Sequence, residues 1–352
     1  MAHNLSDCEV ILGNSNPRFS GVTSTMLQTL THQRQHMPIC VLGKHHLPKE
    51  FASHGISFWQ AVKHLRAPLP NGKARVFHAR RNDEMIQALL LKHVFKLPLS
   101  IVFTSTAQRR HSGLTRWLMK QMDAILSTGK AAAQYLQQAP LALIPHGIQS
   151  DTFYPYPSYP ANTEQTQNIA IFGRVREQKG THLFVEAAID ILPRFPKAKA
   201  FIIGAITPEE HAFANALKAK IKEAGLGHRI QFLGEQPFDK LPELFRSMDI
   251  ITALSRTEGY GLTVLEAMSS GAAVIATEAG AWPEIIEQGE QGWVIPVGDK
   301  QALVHKLDTL LSDPEQMQMM GRKGRERILA HYRIEDEARK LCDIYRQLQY
   351  QS

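Results

Sequence analysis

Twice along this chain short apolar runs alternate with stretches of helical periodicity, and a proline-rich interruption separates the two series. The first series contains the runs at residues 9–12, 39–42, 75–78, 100–103 and 124–126. Runs of this length and composition read as strands covered on both faces, which implies a parallel sheet with helices on each side. Residues 154–163 carry prolines at 155, 157 and 160. Those rings lack N–H donors and restrict their neighbours, so the segment holds neither a helix nor a central strand. A linker is predicted over 154–167, after a first domain at 1–153. Strand–helix alternation resumes at Ile169 and continues to about Ile295, giving a second domain at 168–332. In the closing stretch, 333–352, Ile334, Ala338, Leu341 and Tyr345 share one side of a predicted terminal helix. A length of 352 residues is ample for two domains of this kind.

Charge divides along the same line. Residues 1–157 hold 17 Lys and Arg against 7 Asp and Glu, a balance of +10, and the remainder holds 23 against 26, or −3. The excess in the first half points to an anionic partner for that half only, namely an acidic acceptor or an acidic membrane face. A nucleic-acid ligand would also be anionic, but no recognised nucleic-acid motif is present. The cysteines Cys8, Cys40 and Cys342 have no paired spacing, so disulfides and a structural zinc are not expected. The first residues lack the charged start and apolar centre of a signal peptide, and no run is long enough to span a bilayer. A cytoplasmic protein is expected, at most peripheral on the inner face of a membrane.

Chemistry concentrates in the second series. The run 249–254 reads as a buried strand, and Leu262 to Ser269 reads as a helix ended by Gly271. Between them lie Glu258, Gly259, Tyr260 and Gly261, with Glu266 eight positions beyond Glu258. A helix start preceded by glycines offers backbone N–H groups and a positive dipole end suited to a pyrophosphate. Two carboxylates beside such an anion site would repel phosphate, so their use is to grip hydroxyls such as those of a sugar and a ribose. Upstream, the strand-like Ile169–Phe172 runs into Gly173 and Arg174, with Lys179 and Gly180 following. That loop can aim Arg174 and Lys179 at one diphosphate.

With G-R-x4-K-G followed by E-x7-E, the chain resembles the family 4 retaining glycosyltransferases of the GT-B fold. The resemblance implies two facing Rossmann-like α/β domains with parallel sheets and a deep cleft between them, and a terminal helix that crosses back to the first domain. It implies that Glu266 binds the ribose hydroxyls, that Glu258 contacts the donor sugar, and that Arg174 and Lys179 neutralise the diphosphate as the nucleotide departs. Gly173, Gly259, Tyr260 and Gly261 would supply backbone contacts to the donor, a nucleotide diphosphate sugar. Gly21, in Ser20-Gly21-Val22-Thr23, supplies one of the two glycines such enzymes carry after the first strand.

No apolar-flanked D-x-D occurs, so no metal and no other cofactor is expected. A sugar-contacting histidine common in the family is absent from 103–106, leaving His78, His111 or a backbone group as substitutes. Residues 77–85 and 103–118 narrow the resemblance to lipopolysaccharide-core mannosyltransferase-type enzymes that act on inner-core Kdo. On that resemblance Arg80, Arg81, Arg109 and Arg110, with His78 and His111, would bind an anionic, lipid-linked Kdo acceptor as bidentate clamps. GDP-mannose is then the favoured donor, with UDP-glucose and UDP-N-acetylglucosamine compatible with the same motifs. A transferase acting on another glycan or glycolipid, and a non-catalytic nucleotide-sugar-binding protein, stand as alternatives.

Overall fold

A computed structural model describes residues 5–18, 20–156 and 166–350. In chain order the elements are β1 (Val10–Gly13), α1 (Gly21–Gln33), β2 (Ile39–Leu42), β3 (Gly55–Ile56), α2 (Phe58–His64), β4 (Arg75–Ala79), α3 (Asn82–Leu89), β5 (Leu99–Ser105), α4 (Gly113–Met119), β6 (Ala124–Ser127), α5 (Lys130–Ala133) and β7 (Ala142–Leu143). There follow β8 (Gln167–Phe172), α6 (Thr181–Ile191), β9 (Ala198–Ile203), α7 (His211–Glu223), β10 (Ile230–Gly234), α8 (Leu241–Arg246), β11 (Ile250–Ala253), α9 (Leu262–Ser269), β12 (Ala273–Thr277), α10 (Trp282–Ile285), β13 (Gly292–Ile295), α11 (Lys300–Ser312), α12 (Pro314–His331) and α13 (Ile334–Tyr350).

Two compact units result: one runs to Gly147 and is completed by α13 from Ile334 onward, and the other spans Ile148–Arg333. Each is built on a parallel sheet. The first has seven strands in the order β3-β2-β1-β4-β5-β6-β7, and the second has six in the order β10-β9-β8-β11-β12-β13. Strands in both are Ile-, Val- and Ala-rich and buried, as expected when helices cover both faces. In each sheet the strand order reverses at one point, between β1 and β4 and between β8 and β11. Loops leaving the carboxyl ends of strands on either side of such a reversal diverge and open a crevice for ligands.

In the first unit α2, α3, α4 and the turns that close the first two bury Ala61, Leu65, Met85, Ala88, Leu91 and Leu118 against one sheet face. On the other face α1 and α13 bury Met26, Leu30, Leu341, Cys342, Tyr345 and Leu348. Truncating one such leucine to alanine costs about 2–5 kcal/mol. Polar contacts fix α13 in register. Tyr345 Oη lies 2.6 Å from His78 Nδ1 and accepts from Gln33 Nε2 at 3.3 Å. Glu337 lies 2.8 Å from His146 Nδ1 and accepts from the Gly147 N–H at 2.7 Å. All three cysteines are buried, free thiols.

The division between units falls at Gly147, earlier than the boundary at 153 read from the sequence. Its cause is burial: Ile148 and Phe153 sink into the core of the second unit. Arg325 donates there to the carbonyls of Ser150 at 2.9 Å and Phe153 at 2.8 Å. Of the linker at 154–167, residues 157–165 lie outside the described residues. Tyr154 lies under the Arg246 guanidinium, 3.7 Å from ring centroid to Cζ, and Gln167 already belongs to β8.

Candidate active site

The two motifs singled out in the sequence leave the carboxyl ends of β8 and β11, the neighbouring strands at which the second sheet reverses. After β8, Gly173 and Arg174 are exposed, a short 3-10 turn carries Glu177–Lys179, and α6 begins at Thr181. After β11, residues 255–261 form a loop into α9. Gly180 is left-handed at φ 74°, and a Cβ there would lie 2.3 Å from the Leu254 carbonyl oxygen. Only glycine lets the first loop seat against the end of β11. Gly261, at φ 86°, is pressed in the same way against the Trp282 indole, whose Nε1–H donates to the Gly261 carbonyl at 2.9 Å.

Side chains and backbone then fasten the loops together. Lys179 Nζ donates to Glu258 Oε2 at 2.5 Å, and Ser255 Oγ donates to the same oxygen at 3.1 Å. Gln178 Nε2 donates to the Thr257 carbonyl, and the Arg256 N–H donates to the Gln178 carbonyl at 2.8 Å. Arg256 also pairs with Glu177 at 2.7 Å. Lys179 and Glu258 are each about one-fifth exposed, so their charges meet with partial shielding from solvent. Arg174 stands exposed at the rim.

Glu266 lies in the second turn of α9 and is half-buried. Loss of water around its carboxyl raises its pKa to about 7. The structure therefore brings Lys179 and Glu258 into contact, with Arg174 exposed on the same loop as Lys179 and Glu266 in the helix that follows the Glu258 loop. The cation count and the carboxylates suit a ligand with both phosphates and hydroxyls. Among the described residues no three His, Cys, Asp or Glu side chains cluster as a metal site.

The first unit distributes its candidates differently. Gly21 opens α1 with no atom within 4 Å of where a Cβ would stand, so the space beside it is clear. Arg81 NH2 donates to Ser20 Oγ at 2.7 Å and to Thr23 Oγ1 at 2.9 Å, and NH1 lies 3.5 Å from the buried Glu84. Its guanidinium thus braces the loop between β1 and α1, which differs from the outward anion clamp expected of it. His78 is also corrected. It is 1% exposed, with Tyr345 on one ring nitrogen and Thr104 2.7 Å from the other. Burial, and next the nearby Arg80, hold its pKa well below the usual histidine range. It links β4 to α13 and β5 and has no ring nitrogen left for a ligand.

Arg80 keeps one foot in each role: NH2 lies 3.3 Å from His78 Nδ1, and the buried NH1 has no partner. His111 is half-buried with Nε2 3.3 Å from Ser105 Oγ, and burial lowers its pKa. Arg109 and Arg110 are exposed on the loop after β5. Gln178, Ser255 and Trp282, which hold the second-unit loops, were not singled out in the sequence. Ser255, three residues before Glu258, is the one whose spacing hinted at its contact.

The sequence model for glycosyl transferases group 1 matches residues 160–327, a span containing all four charged residues of this crevice. Similarity extends to both units. The lipopolysaccharide core biosynthesis mannosyltransferase LpcC of Rhizobium leguminosarum bv. viciae is 38% identical over 350 residues, covering 98% of this chain and 97% of that protein. The chain belongs to the group 1 glycosyltransferases. A second family member, the lipopolysaccharide core biosynthesis mannosyltransferase LpsB of Rhizobium meliloti, is 38% identical over 357 residues, covering 98% and 99% of the two chains. The GT-B architecture of these glycosyltransferases also appears in HepE of Anabaena, solved in complex with UDP-glucose. It superposes with a TM-score of 0.72 over 96% of this chain and 99% of that one, at 16% identity.

Proposed function

We propose that this glycosyltransferase moves a hexose, with mannose from GDP-mannose favoured, onto an inner-core, Kdo-containing lipopolysaccharide acceptor with retention at the anomeric carbon. One observation carries the reading. The loops carrying Arg174, Lys179 and Glu258 leave neighbouring strands where the second sheet reverses and are joined by the Lys179–Glu258 pair, in a chain similar over nearly its whole length to core mannosyltransferases. In this reading Arg174 and Lys179 face the diphosphate, Glu258 takes a sugar hydroxyl, and Glu266 takes the ribose hydroxyls. With its pKa near 7, the Glu266 carboxyl can accept or donate toward a hydroxyl at neutral pH.

The bond from the anomeric carbon to the phosphate oxygen breaks as the acceptor oxygen bonds to the same face of that carbon. The acceptor proton passes to the departing phosphate oxygen. Lys179 and Arg174 stabilise the negative charge that gathers on the diphosphate, so the chemistry needs no metal in this account. Glu258 holds Lys179 in place before the donor arrives and leaves the sugar correctly oriented once it has. Arg80, Arg109, Arg110 and His111 meet the acceptor's carboxylate and phosphates, and Arg81 shapes the loop at Gly21. No described helix is long and apolar enough to cross a membrane. The lipid-linked acceptor places the enzyme at the inner face of the cytoplasmic membrane as a peripheral protein.

The test is mass spectrometry of Kdo-lipid A after incubation with purified protein, a panel of GDP- and UDP-sugars, and a chelator. A gain of one hexose from GDP-mannose is expected, with the donor's anomeric configuration kept in the product as read by NMR. Transfer only from a UDP-sugar would overturn the donor, and transfer only after metal addition would overturn the metal-free account. Donor binding without transfer to any glycan would favour the non-catalytic reading.

A further inference from the structure

The loop that carries Glu258 is braced on two flanks. One brace comes from the β8 loop, through Gln178 and Lys179. The other comes from the end of β12, the turn at 278–281 and the first residue of α10, Trp282. Thr277 Oγ1 donates to the Ser255 carbonyl at 2.7 Å. The Ala281 N–H donates to the Tyr260 carbonyl at 3.1 Å, and the Trp282 Nε1–H to the Gly261 carbonyl at 2.9 Å. Gly280, at φ 63°, seats the turn so closely that a Cβ there would stand 2.8 Å from the Tyr260 carbonyl oxygen and 3.0 Å from Glu258 Cβ. Trp282 is 2% exposed and shares one core with Tyr260, Val264 and Ile285, so its indole is held in place.

These contacts fix the direction of two peptide groups. In a planar trans peptide the carbonyl and the N–H of the next residue point in opposite directions. The carbonyls of Tyr260 and Gly261 face the β12 side, so the N–H groups of Gly261 and Leu262 face away from it. Strand order β8-β11-β12 sets the β8 loop, with Arg174 and Lys179, on that opposite flank. Neither N–H donates to any group among the described residues. An indole on one side of the loop thereby turns two backbone donors toward the flank that bears the cations.

We infer that Trp282 is a positioning residue for transfer, holding the Gly261 carbonyl so that the Gly261 and Leu262 N–H groups stay aimed at the donor diphosphate. This rests on the proposed donor site and adds to it a residue that touches no substrate. Glycine at 261 makes the pin necessary, because its backbone has little preference of its own. Donors oriented beforehand need no rearrangement as charge gathers on the leaving phosphate.

The test begins with Trp282→Phe, which keeps an aromatic ring in the core and removes the N–H. Well below its unfolding temperature, kcat/KM for transfer is expected to fall about 10- to 100-fold, with the larger part of the loss in kcat. Ile328→Val trims the same core without touching the loop and should keep the wild-type kcat. A second readout uses the fact that the chain has four tryptophans. With Trp59, Trp117 and Trp293 replaced by Phe and native circular dichroism confirmed, the emission of Trp282 should change saturably on titration with whichever of GDP-mannose and UDP-glucose binds by calorimetry. Wild-type kcat in folded Trp282→Phe, an equal fall in Ile328→Val, or unmoved emission while calorimetry shows donor bound would overturn the inference and leave the donor site standing. Absence of donor binding to the wild type would remove the donor site itself, and the role of Trp282 with it.

Discussion

Both units carry arginines at the loops where their sheets reverse, but they use them in opposite ways. In the second, Lys179 is paired with Glu258 across the two loops and Arg174 stands exposed beside them. In the first, Arg81 is spent inside the fold on Ser20, Thr23 and Glu84, and Arg80 leans on His78. The physical difference is the supply of partners. The β8 and β11 loops are fastened by backbone and amide groups such as Gln178 with Thr257, which leaves Arg174 uncommitted. The β1 and β4 loops have hydroxyls and a buried carboxylate that an arginine must satisfy. A cation at a reversal point is therefore left exposed in one unit and used as a brace in the other.

Breaking the second-unit half of this contrast should give the largest effect. Arg174→Ala is expected to lower kcat/KM by about 10²–10³-fold with the melting temperature unchanged, since one charge-stabilising donor is lost from the transition state. Rates near wild type in a folded variant would show that Arg174 is only a surface cation. Arg81→Ala should do the reverse. It removes two hydroxyl contacts and the neighbour of buried Glu84, for a loss of about 2 kcal/mol in denaturant unfolding. Activity should then fall mainly through the altered β1–α1 loop. Unchanged stability with loss of acceptor binding alone would restore Arg81 as a clamp.

Glu266 sharpens the comparison through pH. Its folded pKa of about 7 lies above its ordinary value of 4.5, so folding favours the protonated carboxyl. That contribution is fully present below 4.5 and is lost as pH rises through 7. Glu266→Gln should match the wild type in stability at acid pH and exceed it at pH ~8, by up to about 1 kcal/mol given its partial solvent access. A gap that grows toward acid would contradict the assignment. The smallest effect is expected from Arg110→Ala, within about 0.5 kcal/mol in stability because the side chain is exposed. Its signature should be a raised KM for the anionic acceptor.

Strand positions were legible because each run is apolar and buried on both faces. The helix at Leu262–Ser269 falls where periodicity and the closing Gly271 place it. The two-residue strands β3 and β7 left no periodic signal to read. The E-x7-E and G-R-x4-K-G spacings are local, so the two motifs that the fold sets on adjacent strands were visible in sequence. What joins the two loops was not visible, because Gln178–Thr257 and Lys179–Glu258 pair residues 79 positions apart. The misplacement of His78 has the same origin. Its neighbour Tyr345 arrives from 267 residues away, and nothing in the run at 75–78 reports that contact.

The most direct test of the central claim, that the second unit's crevice holds the nucleotide sugar, is calorimetric titration of GDP-mannose into wild-type protein and Arg174→Ala in chelator. Saturable binding by the wild type, weakened by about tenfold or more in the variant, is the expected result. Binding of equal strength in both proteins, or no binding of GDP- or UDP-sugars to the wild type, would contradict it.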